Sequence, residues 1–378
     1  MRRALLAAVV ALLVVLVSPV QAAGDAEDSP RIDVPAWYLV GQDGIVLSQR
    51  SSRRSRAIAS ITKLMTTLVA LDNTDPSDVV RVSPAVARVG GSTIFLQGGE
   101  VMTVADLVRA TLIPSANDAA SALALHVGKG SISRFVVLMN EKAHDLGLVD
   151  TTFANPHGLD TLGHLSSARD ATRLLRRALS VPLLRETLGS TSYIGPGGRI
   201  FPSTDDLNSS WPPLVGGKTG HTVNAGWSEA GAARGRGVSV YGAVLGGDSR
   251  AERNDALRTL LTYGLAQYRR IAAVDSTRIY ATAETGYGRA PVDLVAPKTM
   301  ARTVHESTSL LERVVAPRSV GLPVRKGQRL GRVEIWDGDR LLASSNLVAA
   351  ADVTEPGLVG KGAWFVRRTA GNLWGLVS

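Results

Sequence analysis

Ala59-Ser60-Ile61-Thr62-Lys63-Leu64-Met65-Thr66 sets a hydroxyl three residues ahead of an amine. Around it the apolar residues Ile58, Ile61, Leu64, Met65, Leu68 and Val69 recur at helical spacing with a wide buried face. The spacing predicts a central helix over residues 57–71, and side chains three apart on a helix meet, so Lys63 can reach Ser60. The residue type matters. Of 42 basic residues only Lys63, Lys129, Lys142, Lys218, Lys298, Lys326 and Lys361 are lysines. Arginine keeps its proton in a protein, whereas a buried or charge-crowded lysine can lose it, so only lysine can act as a base here. Near the helix start the positive dipole end favours an alkoxide and opposes a lysine cation, and both effects move the proton from hydroxyl to amine. Taken alone, Ser-x-x-Lys arises by chance roughly once in a chain of this size, with Ser60 as a helix cap and Lys63 as a solvated charge. What accompanies it decides the reading.

Working outward, Thr103 is placed to cap a helix over residues 104–112, Pro114 stops it, and Asp118 opens another that runs to Val127. Ser115 and Asn117 therefore fall on the connecting turn. Ser131 is expected to cap a helix with Ile132, Phe135, Met139, Ala143 and Leu146 on one side, closed by Gly147. Residues 238–245 predict a buried strand and residues 250–270 a long helix. After Ile271 the pattern changes to short strand-like runs at 278–283, 311–316 and 332–336, with Asp337-Gly338 signalling a hairpin into 340–344.

Composition bounds the function. A chain of 378 residues, 45% hydrophobic and 20% charged, can bury one large core and still build a second, smaller domain. Arg2 and Arg3, an apolar run over residues 4–17, and small residues at Ala22 and Ala23 predict a cleaved export leader over residues 1–22. The run is shorter than the roughly 20 residues a membrane span needs. With no cysteine, thiol catalysis, disulfides and sulfur-ligated metals are all excluded. A net charge of +9 suits an anionic membrane or wall surface, and an arginine-rich codon bias accounts for the excess equally well. No basic run is interleaved with aromatics, so no nucleic-acid partner is expected. The six histidines form no His-Glu-x-x-His pattern and no glycine-rich Gly-x-x-x-x-Gly-Lys-Ser/Thr phosphate loop occurs, so neither a metal nor an organic cofactor is expected.

Beyond a polar linker over residues 24–33, the organisation read from the sequence is a main domain over residues 35–271, a small β domain over 272–354 and a tail over 355–378. In the tail Ala363, Val366, Ala370, Leu373 and Val377 fall at helical spacing. Trp364, Phe365 and Trp374 flank Lys361, Arg367 and Arg368, and no acidic residue follows Glu355. That is the profile of an interfacial membrane helix; a helix docked on the β domain is the alternative.

Three further stretches join the first: Pro114-Ser115-Ala116-Asn117-Asp118-Ala119-Ala120, Asn155-Pro156-His157-Gly158-Leu159-Asp160 and Gly217-Lys218-Thr219-Gly220-His221-Thr222. In this order and at these separations they resemble the penicillin-recognising serine enzymes, and the closer likeness is to the low-molecular-mass D-alanyl-D-alanine carboxypeptidases. The resemblance runs from about Ala36 into the tail. It implies an α/β (α+β) fold, a mostly antiparallel sheet flanked by helices, followed by a small all-β domain. It implies Ser60 as the nucleophile toward the carbonyl between two D-alanines and Lys63 as its base. Ser115 is then the proton relay to the leaving amine, and Asn117 orients the lysine and the substrate amide. Lys218 and Thr219 would supply donors to the substrate carboxylate, Gly220 would let the ligand lie on the strand, and the amides of Ser60 and His221 would form the oxyanion hole. Arg253 matches an arginine that pairs with the terminal carboxylate, with Arg250 and Arg258 close enough in sequence to be mistaken for it.

The implied partners are a peptidoglycan stem peptide, β-lactams as covalent inhibitors, and a membrane surface reached through the tail. The implied location is the outer face of the cytoplasmic membrane. The chain departs from the resemblance at Ser203-Thr204-Asp205-Asp206, where an Asn-x-Asn element is usual, and this adds negative charge near the cleft. Among rival activities, a β-lactamase would need a glutamate between Glu141 and Glu186, and none occurs there. A D,D-endopeptidase would share every catalytic residue but usually lacks the trailing β domain, and a silent binding protein would be expected to have lost Ser60, Lys63 or Lys218.

Overall fold

The computed structural model describes residues 10–15 and 29–374 and divides into two compact units whose boundary lies between Tyr268 and Arg269. The first is built on a five-stranded antiparallel sheet. Its strands are β1 (Ala36–Gly41), β2 (Val46–Arg50), β3 (Leu214–Thr222), β4 (Gly226–Gly235) and β5 (Val238–Gly247), in the order β2-β1-β5-β4-β3. β5 alternates as a half-and-half strand should. Val240 and Val244 bury on one face, and Ala243 and Leu245 on the other.

Helices cover both faces. On one lie α1 (Lys63–Asn73), α2 (Val104–Leu112), α3 (Asn117–Val127), α4 (Ile132–Asp145), α5 (Ala168–Leu179) and α6 (Pro182–Leu188). After the short α7 (Leu207–Ser210), α8 (Arg250–Ala266) covers the other face with Leu257, Leu260 and Leu261. Gly264 lets α8 come close, since a Cβ there would lie 2.9 Å from Leu39 Cδ2. Thr103 and Ser131 cap their helices as expected, their hydroxyls accepting from Asp106 N and Arg134 N.

Two predicted boundaries move. The central helix begins at Lys63, not residue 57, because Ala59 takes a left-handed φ of 46° and residues Ala59–Thr62 form a 3₁₀ turn. The long helix ends at Ala266 because Tyr268 turns inward: its ring joins the core under α8 and its hydroxyl donates to Asp43 at 2.9 Å.

The second unit is a β domain. It contains β6 (Tyr268–Val274), β7 (Ile279–Thr285), β8 (Val292–Val295), β9 (Met300–His305), β10 (Leu310–Pro317), β11 (Ser319–Val320), β12 (Arg329–Asp337) and β13 (Arg340–Ala349). The predicted hairpin forms, with Asp337 opposite Arg340 and Gly338 at a φ of 54°. Of the expected leader only Val10–Val15 lies among the described residues; it runs antiparallel to β10, with Val10 opposite Pro317. The rest of residues 1–22, and Val377 of the tail, lie outside them.

The tail forms α9 (Leu358–Trp374). Trp364 meets Tyr287 edge-on with centroids 5.5 Å apart, and Lys361 lies over the Tyr287 ring and 2.6 Å from Glu355. Leu358 and Val359 are each 88% exposed, and Phe365 and Val366 face solvent too.

Leu257 is fully buried between α8 and the sheet. Leu257→Ala is expected to cost about 2–5 kcal/mol of unfolding free energy, read from urea denaturation followed by circular dichroism.

Candidate active site

Ser60 sits on the 3₁₀ turn that leads into α1, and the next α-helical residue is Lys63. Two glycines make room for this turn. A Cβ on Gly158, itself at a φ of 89°, would fall 1.9 Å from Ala59 O, and one on Gly220 would fall 2.7 Å from Ile58 O and 3.0 Å from Ser60 N. The turn is thus clamped between the 155–159 loop and β3, and the left-handed Ala59 backbone is held by that packing.

Lys63 is fully buried, yet its amine has three partners: Ser60 Oγ at 2.6 Å, Asn117 Oδ1 at 2.7 Å and His157 O at 2.9 Å. Each partner is placed by local structure. Asn155 bridges its own turn, donating to Leu159 O and accepting from Gly158 N, and Thr66 donates to Pro156 O, which together aim His157 O at the lysine. Asn117 opens α3, its Nδ2 donating to Gly90 O at 2.7 Å while its backbone N donates to Ser92 O. Asp118, buried beside it, accepts from Ile94 N and Leu96 N and so anchors the 92–96 loop. Ser115, at a φ of 61°, projects from the turn between α2 and α3.

Burial pushes the Lys63 amine well below its ordinary range, and the charge of Lys218 pushes in the same direction. This differs from the expected cause. The dipole of α1 acts in the right sense, but loss of water and a second lysine come first. A neutral amine has two N–H groups, for Asn117 Oδ1 and His157 O, and one lone pair left for the hydroxyl proton of Ser60. His157 and His164 are both depressed to about 4, in each case first by burial, so neither ring carries charge near neutrality. What His157 presents to Lys63 is its backbone oxygen.

A cleft of about 210 Å³ opens beside Ser60. Ser115, Thr219, Gly220, His221 and Arg253 line it as the sequence expects, and Ser92, Thr204, Trp227 and Arg250 join them. β3 is the edge strand of the sheet, so its open side faces this cleft as a template for an extended peptide. His221 stacks on Trp227 with centroids 4.1 Å apart.

Lys218 is set deeper than the other expected residues of β3. Expected to donate to the substrate carboxylate, it is 1% exposed, donates to Thr219 O at 2.9 Å and does not line the cleft. Burial lowers its amine to about 7. Its charge reaches Lys63, and it holds the carbonyl of Thr219, whose hydroxyl pairs with Thr204 Oγ1 at 2.8 Å. The negative charge expected from Asp205-Asp206 is also quenched. Asp206 ion-pairs with Arg250, and Asp205 is buried. Sequence reasoning missed Ser92 and Trp227, which carry no local signal: one comes from a loop, the other from a strand position opposite His221.

The profile of the D-alanyl-D-alanine carboxypeptidase family (peptidase S11) matches residues 23–249. D-alanyl-D-alanine carboxypeptidase DacF of Bacillus subtilis is 30% identical over 88% of this chain and 88% of its own. Among solved structures, penicillin binding protein 5 of Haemophilus influenzae superposes with a TM-score of 0.63 at 25% identity, covering 86% of this chain and 99% of that one. The Streptomyces K15 DD-transpeptidase gives 0.59 at 28% identity, covering 63% of this chain and 99% of that one.

Because the depressed Lys63 must be neutral to act, acylation by benzylpenicillin is expected to slow as pH falls and the amine takes up a proton. Lys63→Arg, which cannot deprotonate, should react at least about 100-fold more slowly and without that ascending limb, as stopped-flow or mass-spectrometric adduct formation will show.

The residue order, the fold and the matches over most of the chain agree, and the protein belongs to the D-alanyl-D-alanine carboxypeptidase family of serine peptidases.

Proposed function

We propose that Ser60 removes the terminal D-alanine from peptidoglycan stem pentapeptides by way of an acyl-enzyme. The observation that carries this reading is the Lys63 amine, buried and 2.6 Å from Ser60 Oγ with two other acceptors occupying its N–H groups. The substrate lies along β3, its terminal carboxylate toward Thr219 and Arg253. As Ser60 Oγ bonds to the carbonyl carbon, its proton moves to Lys63 Nζ, and the amides of Ser60 and His221 receive the oxyanion. The C–N bond breaks and a proton passes by way of Ser115 to the departing amine. Water then attacks the ester, giving its proton to Lys63, and frees the shortened peptide and the Ser60 hydroxyl. Benzylpenicillin enters the first half of the same sequence and stays as the ester.

The likeness to a DD-transpeptidase supports a second reading, in which an amine rather than water takes the acyl group. Diacetyl-lysyl-D-alanyl-D-alanine separates the two. Release of D-alanine without added amine, lost in Ser60→Ala along with the benzylpenicilloyl adduct, is the expected result. Release untouched by Ser60→Ala would remove this nucleophile. Turnover only with an added amine would favour transfer.

The same reading places the enzyme outside the cytoplasmic membrane and bound to its surface through α9. Exposed Leu358, Val359, Phe365 and Val366 beside Arg367 and Arg368 support this, and no single helix among the described residues is long and apolar enough to cross a bilayer. Removal of residues 355–378 is expected to abolish cosedimentation with vesicles rich in anionic lipid while leaving D-alanine release unchanged. Equal cosedimentation of both forms would exclude the tail as the anchor.

A further inference from the structure

Behind the cleft, three ionisable side chains from three segments converge out of water, and the charge of a fourth, Lys218, reaches them. Lys218 comes from β3, Glu229 from β4, Arg253 from α8, and Asp205 from the loop ahead of α7. Their exposures are 1%, 0%, 1% and 4%. Glu229 Oε2 lies 2.9 Å from Arg253 Nε, whose hydrogen goes to Asn254 Oδ1 instead, so Glu229 holds the guanidinium by charge. Both Glu229 oxygens and Asp205 Oδ2 are buried without a hydrogen-bond donor, while Asp205 Oδ1 accepts from Leu207 N. The two carboxyl groups converge over one glycine. A Cβ on Gly217 would fall 2.8 Å from Asp205 Oδ2 and 3.3 Å from Glu229 Oε1.

Orphaned, facing carboxyl oxygens in a dry site have one economical solution. A single proton between them satisfies an oxygen on each side and removes one of two adjacent negative charges. Burial first, and then the charge of Asp205, pushes Glu229 well above the usual carboxyl range; burial also raises Asp205. The groups facing this pair are Lys218 on β3, Arg253 and Asn254 on α8 and, farther out, Asp206 with its partner Arg250. With one shared proton a single anion faces Arg253, which Lys218 joins while its amine, lowered to about 7, holds its proton, so the wall of the cleft that meets a substrate carboxylate stays positive.

We propose that Glu229, sharing one proton with Asp205, is the positioning residue of the carboxylate-binding end of the cleft: it fixes Arg253 from behind without cancelling its charge. The proposal rests on the carboxypeptidase reading of the cleft, and it identifies the acid pair that takes the place of the Asn-x-Asn element at Ser203-Thr204-Asp205-Asp206. Arg253 also faces the Trp227 ring at 5.8 Å, so its guanidinium is held on two sides and presents the remainder to the ligand.

The test compares acylation of Ser60 by benzylpenicillin, which carries a carboxylate, and by its methyl ester, which does not, in the full chain from neutral to alkaline pH. In the parent, acylation by the acid relative to the ester is expected to fall at alkaline pH as the charge of Lys218 and the shared proton are lost. Glu229→Gln keeps the shape but frees Arg253 and abolishes the shared proton. It should slow the acid roughly tenfold, leave the ester near the parental rate and reduce the alkaline fall to the part that Lys218 contributes. Glu229→Leu, which removes the buried polar atoms, should show the same selective loss, and so guards against a misfolded glutamine variant. Equal slowing of acid and ester in both variants would assign Glu229 a merely structural part, and parental rates with a parental pH profile would overturn the proposal outright. D-alanine release by the parent, measured alongside, judges the carboxypeptidase reading separately, because both acylation assays report on Glu229 whether or not D-alanine appears.

Discussion

The molecule is organised around an amine that has been taken out of water. A lysine in the interior is costly as a cation and tolerable as a neutral group with its hydrogens satisfied. Lys63 meets both conditions at once: its environment removes the proton, and the carbonyl oxygens of Asn117 and His157 accept its two remaining hydrogens. Whatever polar capacity is left points at Ser60. The basicity proposed for Lys63 is therefore a consequence of packing, and the elements that supply the packing and the acceptors, α1, α3 and the 155–159 loop, belong to the candidate site in the same sense as Ser60.

A second buried lysine makes the first more effective. Lys218 is buried beneath the cleft surface, where its charge lowers the amine of Lys63 and its own amine is lowered to about 7. A buried Lys218 cation is costly without counter-charge, and Asp205 and Glu229 supply it. The acids stabilise Lys218 and Arg253 while the shared proton limits how far they neutralise them. Charge is thus graded across the sheet edge, acidic at the rear and basic toward the substrate, which is the arrangement a peptide ending in a carboxylate requires.

The scaffold fixes these charges by geometry. Gly158 and Gly220 admit the strained turn that carries Ser60, and Gly217 admits two carboxyl groups over one Cα. At these positions a side chain would collide with backbone or with a buried acid, so the glycines act by what they leave empty. The open edge of β3 then offers backbone groups to an extended ligand, and Thr219, His221 and Arg253 stand along it.

The sequence by itself determined the elements and the chemistry. Helical spacing around Leu64 and Leu68, caps at Thr103 and Ser131, and the alternation of residues 238–245 are local properties written in consecutive residues. The Ser60 to Lys63 spacing puts hydroxyl and amine within reach whether the turn is α or 3₁₀, so a boundary placed six residues early did no harm to the pairing. What only the tertiary structure decided is whatever depends on residues distant in the chain. Those include the burial that makes Lys63 a base, the retreat of Lys218 from the cleft, the entry of Ser92 and Trp227, and the meeting of Asp205 with Glu229. Solvent exclusion and the encounter of charges from separate strands have no local signature, because the field at an atom is set by its neighbours in space and not by its neighbours in the chain.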